Sequence, residues 1–332
     1  MAMTSFDTGS SSLQQGAMAP RSKTTGDSRI ENGGFIAGSD SPAFTLTIPR
    51  RQPIPVLIAV PHAGRIYPPE ILGTMREPEY CSIRLEDRFV DALASEVARE
   101  TGAALLVAHA PRAMLDLNRA QDDVDWGMVS GSKPARPPHS QANRRARSGL
   151  GLVPRRLHGF GEIWKGHLSQ AELGQRIEGI HRPYHATLGR TLEEIRDVWG
   201  SALLLDFHSM PPLKGQHGGG PVPQFVIGDR FGASCDGNLQ ARALGFFDAQ
   251  GRPAAHNRPY SGGYVLDRHA APARGLHAMQ LEICRSIYLD KRMAQPTTSL
   301  APVARLLSSL VRELGAVTAR LADSGHIPLA AE

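Results

Sequence analysis

Apolar residues in this chain come in short unbroken runs that end on polar ones. Pro55–Val60 (PVLIAV) runs into Pro61-His62-Ala63-Gly64. Ala103–Ala108 (AALLVA) runs into His109, then Arg112 and Leu115–Arg119 (LDLNR). Ala202–Leu205 (ALLL) runs into Asp206-Phe207-His208-Ser209-Met210, and Leu276–Ile283 (LHAMQLEI) into Cys284-Arg285. Continuous runs of this length, bounded by Gly or Pro, suit strands covered on both faces. Pro42–Pro49 (PAFTLTIP) alternates instead and predicts an edge strand. Between the runs, helical spacing appears. Arg88–Glu100 puts Phe89, Val90, Leu93 and Val97 on one face. Ala171–Ile180 continues through Pro183 into Tyr184–Val198, with Leu188, Leu192, Ile195 and Val198 in register. Ser299–Asp323 carries the stripe Leu300, Val303, Leu307, Leu310, Leu314, Val317 and Leu321, with Thr298 or Ser299 as its cap. Packing on a sheet accounts for all these stripes. Strands alternating with helices predict an α/β fold, with a mainly parallel or mixed central sheet flanked by helices. Ligands in such sheets bind beyond the carboxyl ends of the strands. His62, Arg112, Asp206, His208 and Arg285 all lie at or just after such ends.

Composition adds boundaries. With 332 residues, 41% hydrophobic and 21% charged, the chain is an ordinary globular one, which excludes disordered, collagen-like and disulfide-scaffold classes. Residues 1–30 are rich in Ser, Thr, Gly and Gln. A disordered tail is expected over 1–33, then a single catalytic domain over 34–325, without internal repeats. Cys81, Cys235 and Cys284 are far apart, which fits neither a disulfide framework nor a zinc finger and points to a reducing, cytoplasmic setting. No run of about 18 apolar residues suggests a membrane span, and the first residues lack a signal core.

The net charge of +5 first suggests a nucleic-acid partner. It is local. Trp126–Phe160 contains no Asp or Glu and seven cations, Lys133, Arg136, Arg144, Arg145, Arg147, Arg155 and Arg156, so the rest of the chain sums to −2. The Pro, Ser and Gly content of this segment predicts a mobile basic loop at about 127–160. It lacks the aromatic platforms of a single-strand binder, so nucleic acid is not expected as a partner.

The strand-end residues carry the chemistry. Two strands deliver a His each, His62 and His208, to one expected edge, and Glu86-Asp87 opens a following helix. Two imidazoles and a carboxylate form a zinc-type set with an open position. The alternative for Glu86-Asp87 is a charge complementing the helix dipole. Glu282 shares a strand face with Gln280. It either serves as general base beside a metal or forms an ion pair with Arg285 or Arg112. Arg112, Asn118 and Arg119 can clamp a carboxylate, unless Asp116 ties an arginine down. Gly262-Gly263 either lets backbone approach closely to shape a pocket or makes a turn.

Taken together, the segments resemble the N-formylglutamate amidohydrolase (deformylase) family. The resemblance rests on VPHAGRIYP (Val60–Pro68), EDRFVD (Glu86–Asp91), PRAMLDLNR (Pro111–Arg119), HRPYHATL (His181–Leu188) and LLLDFHSMP (Leu203–Pro211). GDRFGASC (Gly228–Cys235), NRPYSGGY (Asn257–Tyr264) and HAMQLEICRSIYLD (His277–Asp290) extend it, in family order, over about residues 50–290. It implies a fold like the carboxypeptidase-type zinc exopeptidases, and hydrolysis of N-formylglutamate, from histidine degradation, to glutamate and formate. It implies His62, Asp87 and His208 as metal ligands, with Glu86 as the alternative to Asp87, and Glu282 as general base. Asn118 and Arg119 resemble an Asn-Arg pair for the substrate carboxylate, and Arg112 matches an arginine of the same segment. Arg285, Gly262 and Gly263 complete the expected substrate site. Zinc is the implied ion, although such a set also accepts Mn, Co or Fe. The implied partner is a small anionic N-acyl amino acid, with no membrane and a monomer or small homo-oligomer. The chain departs from histidine-pathway members at Asp87-Arg88-Phe89 and over Ser130–Arg156. A paralogue that acts on another N-acyl amino acid, or a carboxypeptidase-like hydrolase, is the alternative.

Overall fold

The computed structural model describes residues 21–25, 27–131, 143–214 and 221–324. Among these, nine strands make one sheet. In chain order they are β1 (Arg21–Thr25), β2 (Ser28–Gly33), β3 (Phe44–Pro49), β4 (Val56–Val60), β5 (Ala104–Ala108), β6 (Ala202–Met210), β7 (Phe225–Gly228), β8 (Ala254–His256) and β9 (Leu276–Cys284). Across the sheet they run β1-β2-β3-β5-β4-β6-β9-β7-β8. The four central strands, β5, β4, β6 and β9, are mutually parallel. β3 and β7 join this block antiparallel, so the sheet is mixed.

Each of the four apolar runs became one of these central strands, because both sheet faces are covered. In β4, Leu57 and Ala59 face one core with Phe44, Tyr184, Leu188 and Leu192. Val56, Ile58 and Val60 face the other, with Leu93, Val97, Phe247, Leu307 and Leu314. The covering helices are α1 (Pro78–Leu85), α2 (Val90–Thr101), α3 (Arg182–Trp199), α4 (Gly237–Ala249), α5 (Tyr264–His269) and α6 (Leu300–Ser324). The α6 stripe from Val303 to Val317 is buried as its spacing requires. Val198 is an exception to the α3 stripe and is 81% exposed. A short helix, Gln170–Arg176, leads into α3 through a single π-helical turn, Ile177–His181.

Two expectations change. Residues 28–33 are not tail but strand β2, paired with β3 throughout. Their sequence, SRIENG, shows no apolar alternation, because the strand is held by charge. Glu31 is buried and paired with Arg29 and Arg190. The PAFTLTIP strand is therefore interior rather than an edge. Residues 1–20 of the expected tail lie outside the described residues.

The basic segment is also more built than a mobile loop. Residues 132–142, with Lys133 and Arg136, lie outside the described residues. Beyond them a short helix, Asn143–Arg147, leads to the buried Leu152 and Val153. Leu152 hydrogen bonds with its backbone to Asp116 and Asp123. Arg155 and Arg156 pair with Glu162, and Arg155 also with Asp125. Those two acids stand just outside the acid-free stretch, which is why counting within it overstated the free charge.

Candidate metal and substrate centre

Parallel pairing sets the site. In the β6–β9 register His208 lies beside Glu282, and Asp206 beside Gln280. Residues two apart on a strand share a face, so these four form a two-layer patch at the carboxyl ends of both strands. His62 follows β4 directly, and Asp87 lies between α1 and α2. The Asp87 N–H donates to the His62 carbonyl at 2.9 Å, which ties the two segments together.

The ligand-type atoms of His62, Asp87 and His208 all lie within 4.8 Å of one another, and all three residues are buried. Both imidazoles turn Nδ1 toward the same oxygen, Asp87 Oδ2, at 3.5 Å for His62 and 3.0 Å for His208. Both turn Nε2 to a buried carboxylate. His62 Nε2 donates to Asp116 Oδ1 at 2.6 Å, and His208 Nε2 to Asp206 Oδ2 at 2.8 Å. Each carboxylate fixes the tautomer and the ring orientation, which is how metal-ligating histidines are held. The result at His62 is an Nδ1 atom that is buried and has no hydrogen-bond partner. A buried acceptor left unpaired costs about 1–3 kcal/mol, and a cation at this point would remove that cost. Two nitrogens and a carboxylate oxygen suit zinc or another divalent ion of the same kind.

Charge supports the same picture. Burial alone would raise the Asp87 carboxyl, but the hydrogen bond from His208 and the nearness of the His62 imidazole outweigh it and hold Asp87 well below the usual range. Burial opposes a charged His208, yet Asp206, Asp87 and Glu282 raise it well above its ordinary value. Asp116 is held well below the usual carboxylate range, against its burial, by Arg112 first and then by His62 and Arg119.

Glu282 is brought to the centre and pairs with no arginine among the described residues. Its Oε1 accepts from Gln280 Nε2 at 2.8 Å. Burial pushes it up to about 7, despite opposing help from His208 and Arg112. Arg285 is spent elsewhere. It donates to Ser209 Oγ, to the carbonyls of Ile83 and Glu86, and to Asp87 Oδ1 at 3.2 Å. It braces Asp87 from behind, and Ser209 adds a bond to the same Oδ1 at 3.1 Å. Glu86 is not among the clustered ligand atoms, and Arg88 pairs with it at 3.0 Å.

The three substrate-clamp candidates separate. Arg112 gives Nε to Asp116 Oδ2 at 2.9 Å, while its two terminal nitrogens have no acceptor among the described residues. Arg119 gives Nε to the Leu150 carbonyl and one terminal nitrogen to the Asn118 carbonyl, which ties the basic segment to this loop. Asn118 is used structurally. Its Oδ1 accepts from the Val265 N–H at the start of α5, and its Nδ2 donates to Gln280 Oε1 at 3.3 Å. Gly263 is required for this contact, since a Cβ there would lie 2.5 Å from Asn118 Oδ1. Gly262 adopts φ +97°, a left-handed value that favours glycine.

Three histidines buttress the loop from below. His181 Nε2 donates to the Arg119 carbonyl at 2.8 Å, and His185 Nε2 to the Leu117 carbonyl at 3.0 Å. His185 Nδ1 then pairs with His269 Nε2 at 3.0 Å. Burial lowers all three, His269 to about 3.

Sequence reasoning missed Asp206 and Gln280 as partners of His208 and Glu282, although each stands two residues away on the same strand. It took Asp116 only as a partner for arginine.

Comparison with known proteins places the chain in a family. The sequence profile of the N-formylglutamate amidohydrolase family matches residues 54–289. An N-formylglutamate deformylase of Pseudomonas putida is 32% identical over 255 residues, 74% of this chain and 88% of its own length. Its counterpart in Pseudomonas aeruginosa is 30% identical over 269 residues, 80% of this chain and 92% of its own. The crystal structure of N-formylglutamate amidohydrolase from Ralstonia eutropha JMP134 superposes with a TM-score of 0.75 at 31% identity. That match covers 84% of this chain and 99% of that one. The chain belongs to the N-formylglutamate amidohydrolase family of amide-hydrolysing enzymes.

Proposed function

We propose that this chain hydrolyses the N-formyl amide of an acidic amino acid, N-formylglutamate first, with a divalent ion, zinc first, held by His62, Asp87 and His208. The observation that carries this reading is the unpaired, buried His62 Nδ1. It is aimed at the same Asp87 oxygen as His208 Nδ1, while both Nε2 atoms are anchored. A bound ion supplies Lewis acidity, which polarises the formyl carbonyl and acidifies water. Glu282 works as the base. Gln280 occupies only its Oε1, and its raised affinity for protons suits it to take one from the attacking water and return it to the leaving amine. The free fork of Arg112 takes a substrate carboxylate, and Asp116 fixes the other side of that guanidinium. Asp116 thereby links the anchoring of His62 to the placing of the substrate.

The test is a panel of N-formyl-L-glutamate, N-formyl-L-aspartate, N-formyl-L-methionine and N-acetyl-L-glutamate, with formate and free amine measured. N-formylglutamate should be preferred, and chelation should abolish turnover until zinc is restored. Full turnover by metal-free protein refutes the metal reading. A preference for neutral N-formyl amino acids refutes the acidic substrate.

A further inference from the structure

A second site lies away from the metal-type centre. The helix Gln170–Arg176 ends on Arg176, whose side chain is only 7% exposed. No carboxylate among the described residues comes within ion-pair distance of it. Its one side-chain hydrogen bond among the described residues runs from a terminal nitrogen to the Met114 carbonyl at 3.1 Å, and its guanidinium carbon lies 5.7 Å from the centre of the Trp164 ring. Glu172, one turn earlier, is committed to its capping box, where Oε2 takes both the N–H and the Oγ of Ser169. A buried charge without an anion is expensive, and an ordinary structural arginine would have been given one.

The guanidinium borders two cavities. One, of about 260 Å³, has apolar walls made by Ile71, Met128, Trp164 and Leu168. The other, of about 200 Å³, shares Ile71 with it and is lined by Phe35, Met114 and Ile180. Neither includes any residue of the His62–Asp87–His208 group, nor Glu282 or Arg112. Exposed Glu70 and Glu172 line both.

We propose that the larger cavity binds a small monocarboxylate with an apolar tail, its carboxylate on Arg176 and its tail against Trp164, Met128 and Leu168. The ligand's charge supplies the missing partner through charge-assisted hydrogen bonds. The apolar walls supply the contact area, in a cavity sized for a small ligand rather than a peptide. Lys165 also lines the cavity but its Nζ is turned to the Gly73 carbonyl, while Glu70 and Glu172 repel a second negative charge, which selects a monoanion over a dicarboxylate.

The experiment is calorimetric titration of the full chain with 3-phenylpropionate near neutral pH. One site is expected, with Kd of about 1 mM or tighter. The neutral analogue 3-phenylpropanamide should bind at least about tenfold more weakly, since it cannot answer the guanidinium charge. Arg176→Met, which keeps the bulk and removes the charge, should also lose about tenfold. Gly73→Phe fills the cavity from its rim, where an added Cβ meets nothing within 4 Å, and leaves Arg176 in place. It should weaken binding as much, and it carries the test if Arg176→Met does not fold, which circular dichroism will tell. Binding should survive saturating N-formylglutamate. The proposal is overturned if the wild-type chain does not bind, if the amide binds as well as the acid, if a folded variant binds like wild type, or if N-formylglutamate displaces the ligand.

Discussion

Asp116→Asn probes the junction between the two halves of the centre. Asp116 is 1% exposed and serves three donors, His62 Nε2 at 2.6 Å, the Asn118 N–H at 2.8 Å and Arg112 Nε at 2.9 Å. An asparagine can keep its oxygen toward His62 and Asn118, but it then sets an NH2 group against the Arg112 N–H. A hydrogen bond to a charged group contributes about 1.5–3 kcal/mol, so Arg112 should lose roughly that much positioning. His62 keeps an acceptor but loses the negative charge behind its ring, and outer-shell changes of this kind weaken metal affinity about 10–100-fold. Two readouts are needed. Zinc titration against a competing chelator should show the weaker binding, and steady-state formate release at saturating zinc should show a raised KM for N-formylglutamate. Asp206→Asn is the comparison. It should weaken zinc similarly through His208 and leave KM near wild type, because Asp206 holds no arginine. If Asp116→Asn binds zinc like wild type and keeps its KM, Asp116 is not the hinge between ligand and clamp.

Three further outcomes are expected. Glu282→Gln should retain zinc yet lose about 10²–10⁴-fold in turnover, the usual share of a general base; near-normal kcat would transfer that role to another group. Arg112→Gln should raise KM for N-formylglutamate well above its effect on kcat, and equal losses in both would argue against a carboxylate clamp there. Acid should destabilise the chain through His181, His185 and His269, whose folded forms resist protonation, His269 down to about 3. Because their folded values are depressed, the stability present above about pH 6.5 is lost as pH falls toward the folded values. Tm should therefore drop between pH 7 and 5, and less steeply in His269→Gln; parallel slopes for the two proteins would remove this cluster from the acid limb.

Much of the frame could be read before the structure was known. Buried parallel strands announce themselves as unbroken apolar runs, and all four did. β2 gave no such sign, because a strand held by Glu31, Arg29 and Arg190 looks like polar tail. The two histidines and Glu282 stood out as polar residues at strand ends. The resemblance favoured Asp87 over Glu86; spacing alone did not, since adjacent residues differ only in which way the turn before α2 points them, and in the fold it is Asp87 that lies against both imidazoles while Glu86 pairs with Arg88. Arg285 was misleading for a related reason. Its position near Glu282 in sequence suggested a pair, but the chain turns after β9 and sends the guanidinium to Asp87 and the α1 carbonyls. Asp116 and Asp206 needed the folded distances to be seen as anchors for imidazoles.

The π-helical turn at Ile177–His181 acts as a phase setting. An α-helix advances about 100° per residue, so a turn that holds one residue more than its neighbours offsets everything after it by that angle. His181 closes the turn and His185 follows it, and they hold the carbonyls of Arg119 and Leu117. Gly179 sits within the turn, with its carbonyl accepting from Phe35 N–H. Deleting one residue there would relax the helix to regular geometry and swing both imidazoles around the axis, away from the loop. Chain length in this stretch is thus a gauge, and a single-residue gap would be costlier here than most substitutions.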